Sequence, residues 1–293
     1  MSLHQLESSA LSVTIKSLGA EVSSVKNLQD GTEYMWQADP EVWGRHSPLL
    51  FPIVGRLKGD CYTYKGVSYE MGQHGFARNS EFELLTKTSN GAGFRLSSTG
   101  ETEKIYPFKF VLDVIYMLNG QELEVAYEVN NLQEGEEPLL FSIGGHPAFS
   151  CPIVPEELLT DYVVEFSEEE HAHNHYLDAG IRSGETGDVL VGKREIPVTP
   201  TLFDRDALVF GSLASTSCRL LSAKSGRSVQ MNFEGFPYFG IWAKPNASFV
   251  CLEPWQGIAD EASHNQELAE KEGIIEWREK NKPFRISYTL IFD

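Results

Sequence analysis

The feature that most constrains this chain is a two-residue alternation of apolar and polar side chains that recurs from end to end. It runs through Leu11-Ser-Val-Thr-Ile15, Cys61-Tyr-Thr-Tyr64, Val111-Leu-Asp-Val-Ile-Tyr116, Leu123-Glu-Val-Ala-Tyr-Glu-Val129 and Arg285-Ile-Ser-Tyr-Thr-Leu-Ile291. A period of two puts alternate side chains on opposite faces of a β-strand, one face for a core and one for solvent. Turn signals separate the runs, among them Gln29-Asp-Gly31, Ser89-Asn-Gly91, Leu118-Asn-Gly120, Ser225-Gly226 and Glu234-Gly235. Strands joined by such short glycine-bearing turns pair antiparallel.

Helical pattern is confined to short candidates at 40–45 and 156–159 and a longer one at 259–271. None can cover a sheet, so the sheets must bury their apolar faces against each other. The expectation is an all-β chain built as a large two-sheet antiparallel sandwich. No Pro/Gly/Ser-rich linker divides the 293 residues, and no internal period marks a solenoid or propeller. A single domain over 1–293 is expected.

Charge narrows the partners. Acidic residues outnumber basic ones 42 to 24, a net charge of -18, and that field repels phosphate backbones and anionic lipid surfaces. Nucleic acid is therefore excluded as an expected partner. No stretch approaches the roughly 20 apolar residues of a membrane span, and the start, Met1 to Glu7, lacks the basic and apolar runs of a signal peptide. Cys61, Cys151, Cys218 and Cys251 stand far apart with no C-x-x-C pair, which fits reduced thiols in a cytoplasmic protein.

Three segments carry candidate chemistry. Gln73-His74-Gly75-Phe76-Ala77-Arg78 sets an imidazole and a guanidinium around a glycine that marks a tight bend or a close approach. Phe141-Ser-Ile-Gly-Gly145-His146-Pro147-Ala-Phe149 runs a strand into two glycines and a histidine whose backbone the following proline holds extended. Phe249-Val-Cys-Leu252-Glu253-Pro-Trp255-Gln256 leaves a carboxylate at the end of an apolar strand beside an indole, where desolvation would raise its pKa toward the range of a general base. Trp255 offers an apolar platform for the C–H face of a sugar ring, and Gln256 offers hydrogen bonds to its hydroxyls. Singly, the first segment reads better as a histidine that satisfies nearby backbone groups, while the second and third read equally well as a hydrogen-bonded turn histidine and a strand-end salt bridge.

Arg56, in Phe51-Pro-Ile-Val-Gly-Arg56, could donate a fork of hydrogen bonds to hydroxyls, and Asp206, in Leu202-Phe-Asp204-Arg-Asp206, could accept them. Asp204 would face the same side of a strand as Asp206, so the choice between them stays open. The run His171-Ala-His173-Asn-His175 would align three imidazoles on a strand, but it follows Glu168-Glu-Glu170 and reads as a solvated loop; no metal is expected.

Taken in order, His74-Gly-Phe-Ala-Arg78, Gly144-Gly-His146-Pro-Ala-Phe149 and Leu252-Glu253-Pro-Trp255 resemble the aldose 1-epimerase, or galactose mutarotase, family, and in particular its LacX-like branch; Tyr106-Pro-Phe-Lys-Phe110 and the ending around Lys271 to Ile274 match as well. The resemblance spans nearly the whole chain. It implies a large antiparallel β supersandwich with an open cleft, a sugar substrate, and no metal or nucleotide cofactor. It also implies Glu253 as general base, His146 as general acid, His74 as a second histidine lining the sugar, and Arg56, Arg78 and Asp206 as substrate-holding residues. The expected reaction is exchange of sugar anomers by ring opening and reclosure, with the imidazole and the carboxylate at opposite edges of one pyranose. Two rival readings remain. Arg45, Arg56, Lys58 and Arg78 would suit a hexose 6-phosphate, and the same cleft would also suit a non-catalytic carbohydrate sensor.

Overall fold

A computed structural model describes residues 2–293. The alternation resolves into antiparallel sheets that pack as a supersandwich. The larger sheet has nine strands, in the order Lys193–Pro197, Tyr162–Glu170, Ser217–Ser222, Ser228–Asn232, Phe284–Phe292, Glu122–Asn131, Phe110–Asn119, Gly91–Ser97 and Glu83–Lys87. The facing sheet runs Ile181–Gly187, Asn174–Asp178, Leu208–Gly211, Tyr238–Trp242, Phe249–Gln256, Ile143–Gly145 and Leu49–Leu50, with Ala148–Ser150 also paired to Phe249–Gln256.

The turn signals do what their chemistry predicts. Asn119 pairs with Glu122 across the hairpin at Gly120, and Leu221 pairs with Ser228 across the one at Gly226. Both glycines have positive φ, which short hairpin turns favour. The two sheets interlock through aromatic rings: Phe166 of the nine-stranded sheet meets Phe210 and Phe239 of the other at centroid distances of 6.4 and 6.1 Å, and Phe292 meets Phe149 at 6.4 Å. Edge-to-face ring pairs of this kind add to the burial term that holds a sandwich together.

Phe249–Gln256 is the strand that matters most for function. It is paired on both sides and buried over all but its last residue. One of its faces looks into the inter-sheet core and the other toward a cleft, so a polar side chain on it is desolvated either way.

The helix expectations fail, each for a local reason. At 40–45 the Asp39 carboxylate accepts the Glu41 amide and the Asp39 carbonyl accepts the amides of Val42 and Trp43, closing one turn that does not continue. At 156–159 the chain makes only a 3-10 turn, Leu159–Asp161. Over 259–271 the side chains of Asn265 and His264 take backbone amides for themselves, leaving a loop with one 3-10 turn, Leu268–Glu270. The helix that does form, Gly100–Ile105, is set by a capping box between Thr99 and Thr102.

Candidate active site

Register explains how two distant segments meet. Ile143–Gly145 pairs with Phe249–Gln256 so that Gly144 lies opposite Trp255, and Ala148–Ser150 resumes the same ladder with Ala148 opposite Cys251. Carried across the interruption at Pro147, that register sets His146 opposite Glu253. Directly opposed residues share a face of the sheet. His146 Nε2 accordingly lies 3.2 Å from Glu253 Oε2, close but without the alignment of a hydrogen bond.

His74 arrives by a different route. It and Gly75 both have positive φ, 65° and 68°, and the segment folds back on residues 51–55. The amides of Phe76 and Ala77 donate to the Phe51 carbonyl, and the amide of His74 donates to the Gly55 carbonyl. A Cβ on Gly75 would stand 2.3 Å from the Phe51 carbonyl oxygen, so only glycine fits there. The Gly55 amide donates to His74 Nδ1 at 3.1 Å, which leaves the proton of the neutral ring on Nε2. The His74 and His146 rings stand edge to face with centroids 5.6 Å apart.

These side chains line one cavity of about 470 Å³, together with Arg56, Arg78, Asp206 and Trp255. Two further residues were not singled out from the sequence. Trp43 stacks on His146 at 5.2 Å and 27°, and Trp242 meets the same ring edge-on at 5.7 Å. Trp242 was legible in principle, since its strand pairs with Phe249–Gln256 and puts it opposite Cys251. Trp43 lies in a turn and carried no periodic signal.

Other expectations need correction. The imidazole and the carboxylate do not flank a pyranose; at 3.2 Å nothing fits between them. Gln256 is not a cleft residue. Alternation puts it on the face opposite Glu253 and Trp255, where its amide donates to the Gly235 carbonyl. Residues 201–206 form turns rather than a strand, so Asp204 and Asp206 do not share a face; Asp206 lines the cavity and Asp204 is exposed. Arg56 lines the cavity but is already committed, bidentate to Asp60 at 2.7 and 2.6 Å and to the Ala179 carbonyl at 2.9 Å.

The histidine run does not assemble: His173 Nδ1 pairs with Asp188 at 2.7 Å and His171 approaches Glu169 at 3.6 Å. Among the described residues, the side chains that do converge as potential metal ligands are His146, Cys251 and Glu253, within 4.8 Å of one another. Burial pushes the Cys251 thiol well above its ordinary value, with the nearby Glu253 carboxylate adding to the effect. The sulfur is thus a protonated neighbour of the pair and not a ready thiolate ligand.

Burial dominates the site's electrostatics. It drives the Glu253 carboxyl well above the usual carboxylate range, and the charge of Asp206 pushes the same way while the Trp255 side chain opposes. It drives His146 down to about 3, partly opposed by a backbone hydrogen bond and reinforced by Arg78 and Arg45. His74 is likewise held well below its ordinary value by burial, then by His146, Arg78 and Arg45. Both shifts favour the uncharged forms, so burial biases the opposed pair toward a protonated carboxyl and a neutral imidazole.

The family model described as aldose 1-epimerase matches residues 2–271. The LacX protein of Lactococcus lactis is 35% identical over 276 residues, covering 91% of this chain and 92% of that one. Among solved structures, a galactose mutarotase related enzyme from Lactobacillus acidophilus superposes with a TM-score of 0.94 at 36% identity, covering 100% of this chain and 97% of its own. A galactose mutarotase-like protein from Lactobacillus casei superposes at 0.92 with 27% identity, covering both chains fully. With the three motifs gathered into one cavity and matches of this extent, the chain belongs to the aldose 1-epimerase family.

Proposed function

We propose that the protein interconverts the α and β anomers of an aldopyranose by acid–base ring opening and reclosure, with Glu253 and His146 as the proton-transfer pair. The observation that carries this reading is the cross-strand opposition of the two groups at 3.2 Å in a cavity walled by tryptophans. Ring opening removes the proton from O1, delivers a proton to the ring oxygen O5, breaks C1–O5 and forms the C1–O1 double bond. O1 and O5 are both bonded to C1, so their proton partners must converge on one carbon, which an adjacent pair does and a pair flanking the ring would not.

A pair with one proton and one vacancy supplies both transfers at once, and reclosure on the other face of C1 restores it with the roles reversed. In the charge-separated form Glu253 is the base and His146 the acid; moving one proton across the 3.2 Å gap gives the neutral form that burial favours. His74, with Nε2–H as donor, and Asp206, as acceptor, would hold hydroxyls, while Trp43, Trp242 and Trp255 would pack on C–H faces.

One hydrophobic cluster runs through both sheets and supports a single folding unit. The four cysteines are free, which supports a reducing compartment and hence the cytoplasm. Among the described residues no helix is long and apolar enough to cross a membrane.

The test is anomer exchange followed by polarimetry on freshly dissolved sugar. Glu253→Gln is expected to lose at least about 10²-fold in rate while keeping sugar affinity within about tenfold, since an amide still hydrogen-bonds but takes no proton. Normal turnover by that variant would refute the assignment. Wild-type binding with no acceleration would favour a carbohydrate sensor instead.

A further inference from the structure

The face of Phe249–Gln256 that bears Glu253 bears a second donor, which anomer exchange does not use. Cys251 stands two residues before Glu253, so the strand's alternation puts both on one side, and register sets His146 opposite Glu253. Cys251, Glu253 and His146 are 0%, 1% and 7% exposed. Glu253 Oε2 is buried with no hydrogen-bond partner and points at His146 Nε2 from 3.2 Å. A sealed oxygen with its valence unmet is a cost that a ligand of the right chemistry would remove.

The ligand that fits is a cation. One sulfur, one nitrogen and one oxygen donor lie within 4.8 Å of one another. Donors that close leave a point within about 2.8 Å (4.8/√3) of all three, against roughly 2.0–2.3 Å for zinc bonds to such atoms, so small side-chain rotations complete the contact. A thiolate and an imidazole select a borderline-soft ion such as zinc over magnesium or calcium, which take oxygen donors. Charge agrees with this choice. Without an ion, burial favours the uncharged thiol, carboxyl and imidazole. A dication held by one thiolate, one carboxylate and a neutral imidazole is also neutral overall, so the buried cluster gains no net charge. Of the charges nearby, Asp206 acts on Glu253 and favours the cation, while Arg78 and Arg45 act on His146 and oppose it.

We propose that Cys251, His146 and Glu253 form an inhibitory site for a thiophilic divalent cation of the zinc class, entered from the sugar cavity. His146 and Glu253 line that cavity, so the ion's fourth position faces the sugar, while Cys251 closes the site from behind. Coordination releases the thiol proton and the carboxyl proton to solvent, and nothing is oxidised or reduced. The lone pairs that would exchange protons at O1 and O5 are then bonded to the metal, and turnover stops. The inhibition rests on the reading of His146 and Glu253 as the proton-transfer pair; the binding does not.

Zinc chloride is titrated into galactose anomer exchange. Cadmium chloride is titrated into Cys61→Ser, which removes the one part-exposed cysteine, and the ultraviolet thiolate-to-cadmium band reports Cys251. Zinc should inhibit competitively with galactose. Cys251→Ala and Cys251→Ser should each weaken that inhibition by at least about tenfold, measured against the variant's own metal-free rate, since loss of a ligand's outer partner alone costs about 10–100-fold. The cadmium band should shrink as galactose is added and vanish when Cys251→Ala is combined with Cys61→Ser. No band in Cys61→Ser, or zinc inhibition unchanged in both Cys251 variants, would overturn the site and leave anomer exchange standing. A galactose-sensitive band with turnover untouched by zinc would keep the cation site but overturn its inhibitory role, and with it the proton-transfer assignment.

Discussion

The opposed shifts of His146 and Glu253 make the pH dependence of stability a direct probe of the pair. Between pH 4.5 and 6.5, the ordinary values of the two groups, the unfolded chain carries one proton on the pair, with histidine charged and glutamate ionised. In the folded pair burial draws that proton from the imidazole, lowered to about 3, toward the carboxyl, which is raised. The two shifts oppose each other in the proton count, so in the wild type the pair contributes less to pH dependence in this window than the lowered imidazole would alone.

Removing either partner unbalances the count, in opposite senses. In His146→Gln only the raised carboxyl remains: the folded state holds a proton that the unfolded state lacks, so stability rises as pH falls, until the unfolded glutamate protonates at 4.5. In Glu253→Gln only the lowered imidazole remains: the unfolded state holds the extra proton, so stability falls as pH drops below 6.5. For Glu253→Gln, with the imidazole at about 3, the slope is about 1.4 kcal/mol per pH unit, or at most about 2.7 kcal/mol across the window; for His146→Gln the predicted quantity is the opposite sign. For a chain of 293 residues that is about 4 °C in Tm, at about 2.1 cal/mol/K of unfolding entropy per residue. The double variant, which lacks both groups, should fall between the two single variants. Burial is the first cause of both shifts, so each survives loss of the other group. Thermal melts at pH 4.5, 5.5 and 6.5, read as differences from the wild type, provide the check. Slopes of the same sign in the two single variants would refute the opposed shifts.

Two further outcomes follow from packing. Gly75→Ala drives a Cβ to 2.3 Å from the Phe51 carbonyl oxygen at a φ of 68°, so it should cost at least about 2 kcal/mol by urea denaturation and lower kcat by displacing His74; wild-type stability and rate would contradict this. Lys271, nearly sealed, donates to the Ile258 carbonyl and to Asp260 at 3.0 Å, and Asp260 in turn accepts the Lys58 amide. Lys271→Met should cost about 3–5 kcal/mol by leaving a buried carboxylate unpaired, and adding Asp260→Asn should recover much of it. Equal stability of the single and double variants would show that the pair is not coupled.

The fold was legible because one face of each strand has to be dry. Leu123 to Val129 declares its core side in every second residue, and the glycines at 120 and 226 fix where the chain reverses. The three motifs were legible as segments, and it took strand register to show how they meet. His146 opposes Glu253 only because two short strands hold one ladder across Pro147, and no local pattern encodes that pairing. Gln256 is different. The alternation that located Glu253 and Trp255 on one face also sends the next residue to the other, so its exclusion was available from the sequence. Asp60, the bidentate partner of Arg56, is only four residues on and was within local reach, whereas the carbonyls of Ala179 and His264 that hold Arg56 and Lys58 lie more than 100 residues away.

The amide of Gly55 has a consequence for selectivity. By occupying Nδ1 it makes His74 a donor only, and the Nε2–H has no partner among the described residues and is not sealed from the cavity. The ring cannot rotate its loyalties to suit a visitor: the atom that meets it must bring a lone pair. A deoxy sugar missing that oxygen would strand the N–H against carbon, and a site that rejects a ligand for what it lacks discriminates far more sharply than one that merely excludes what is too large.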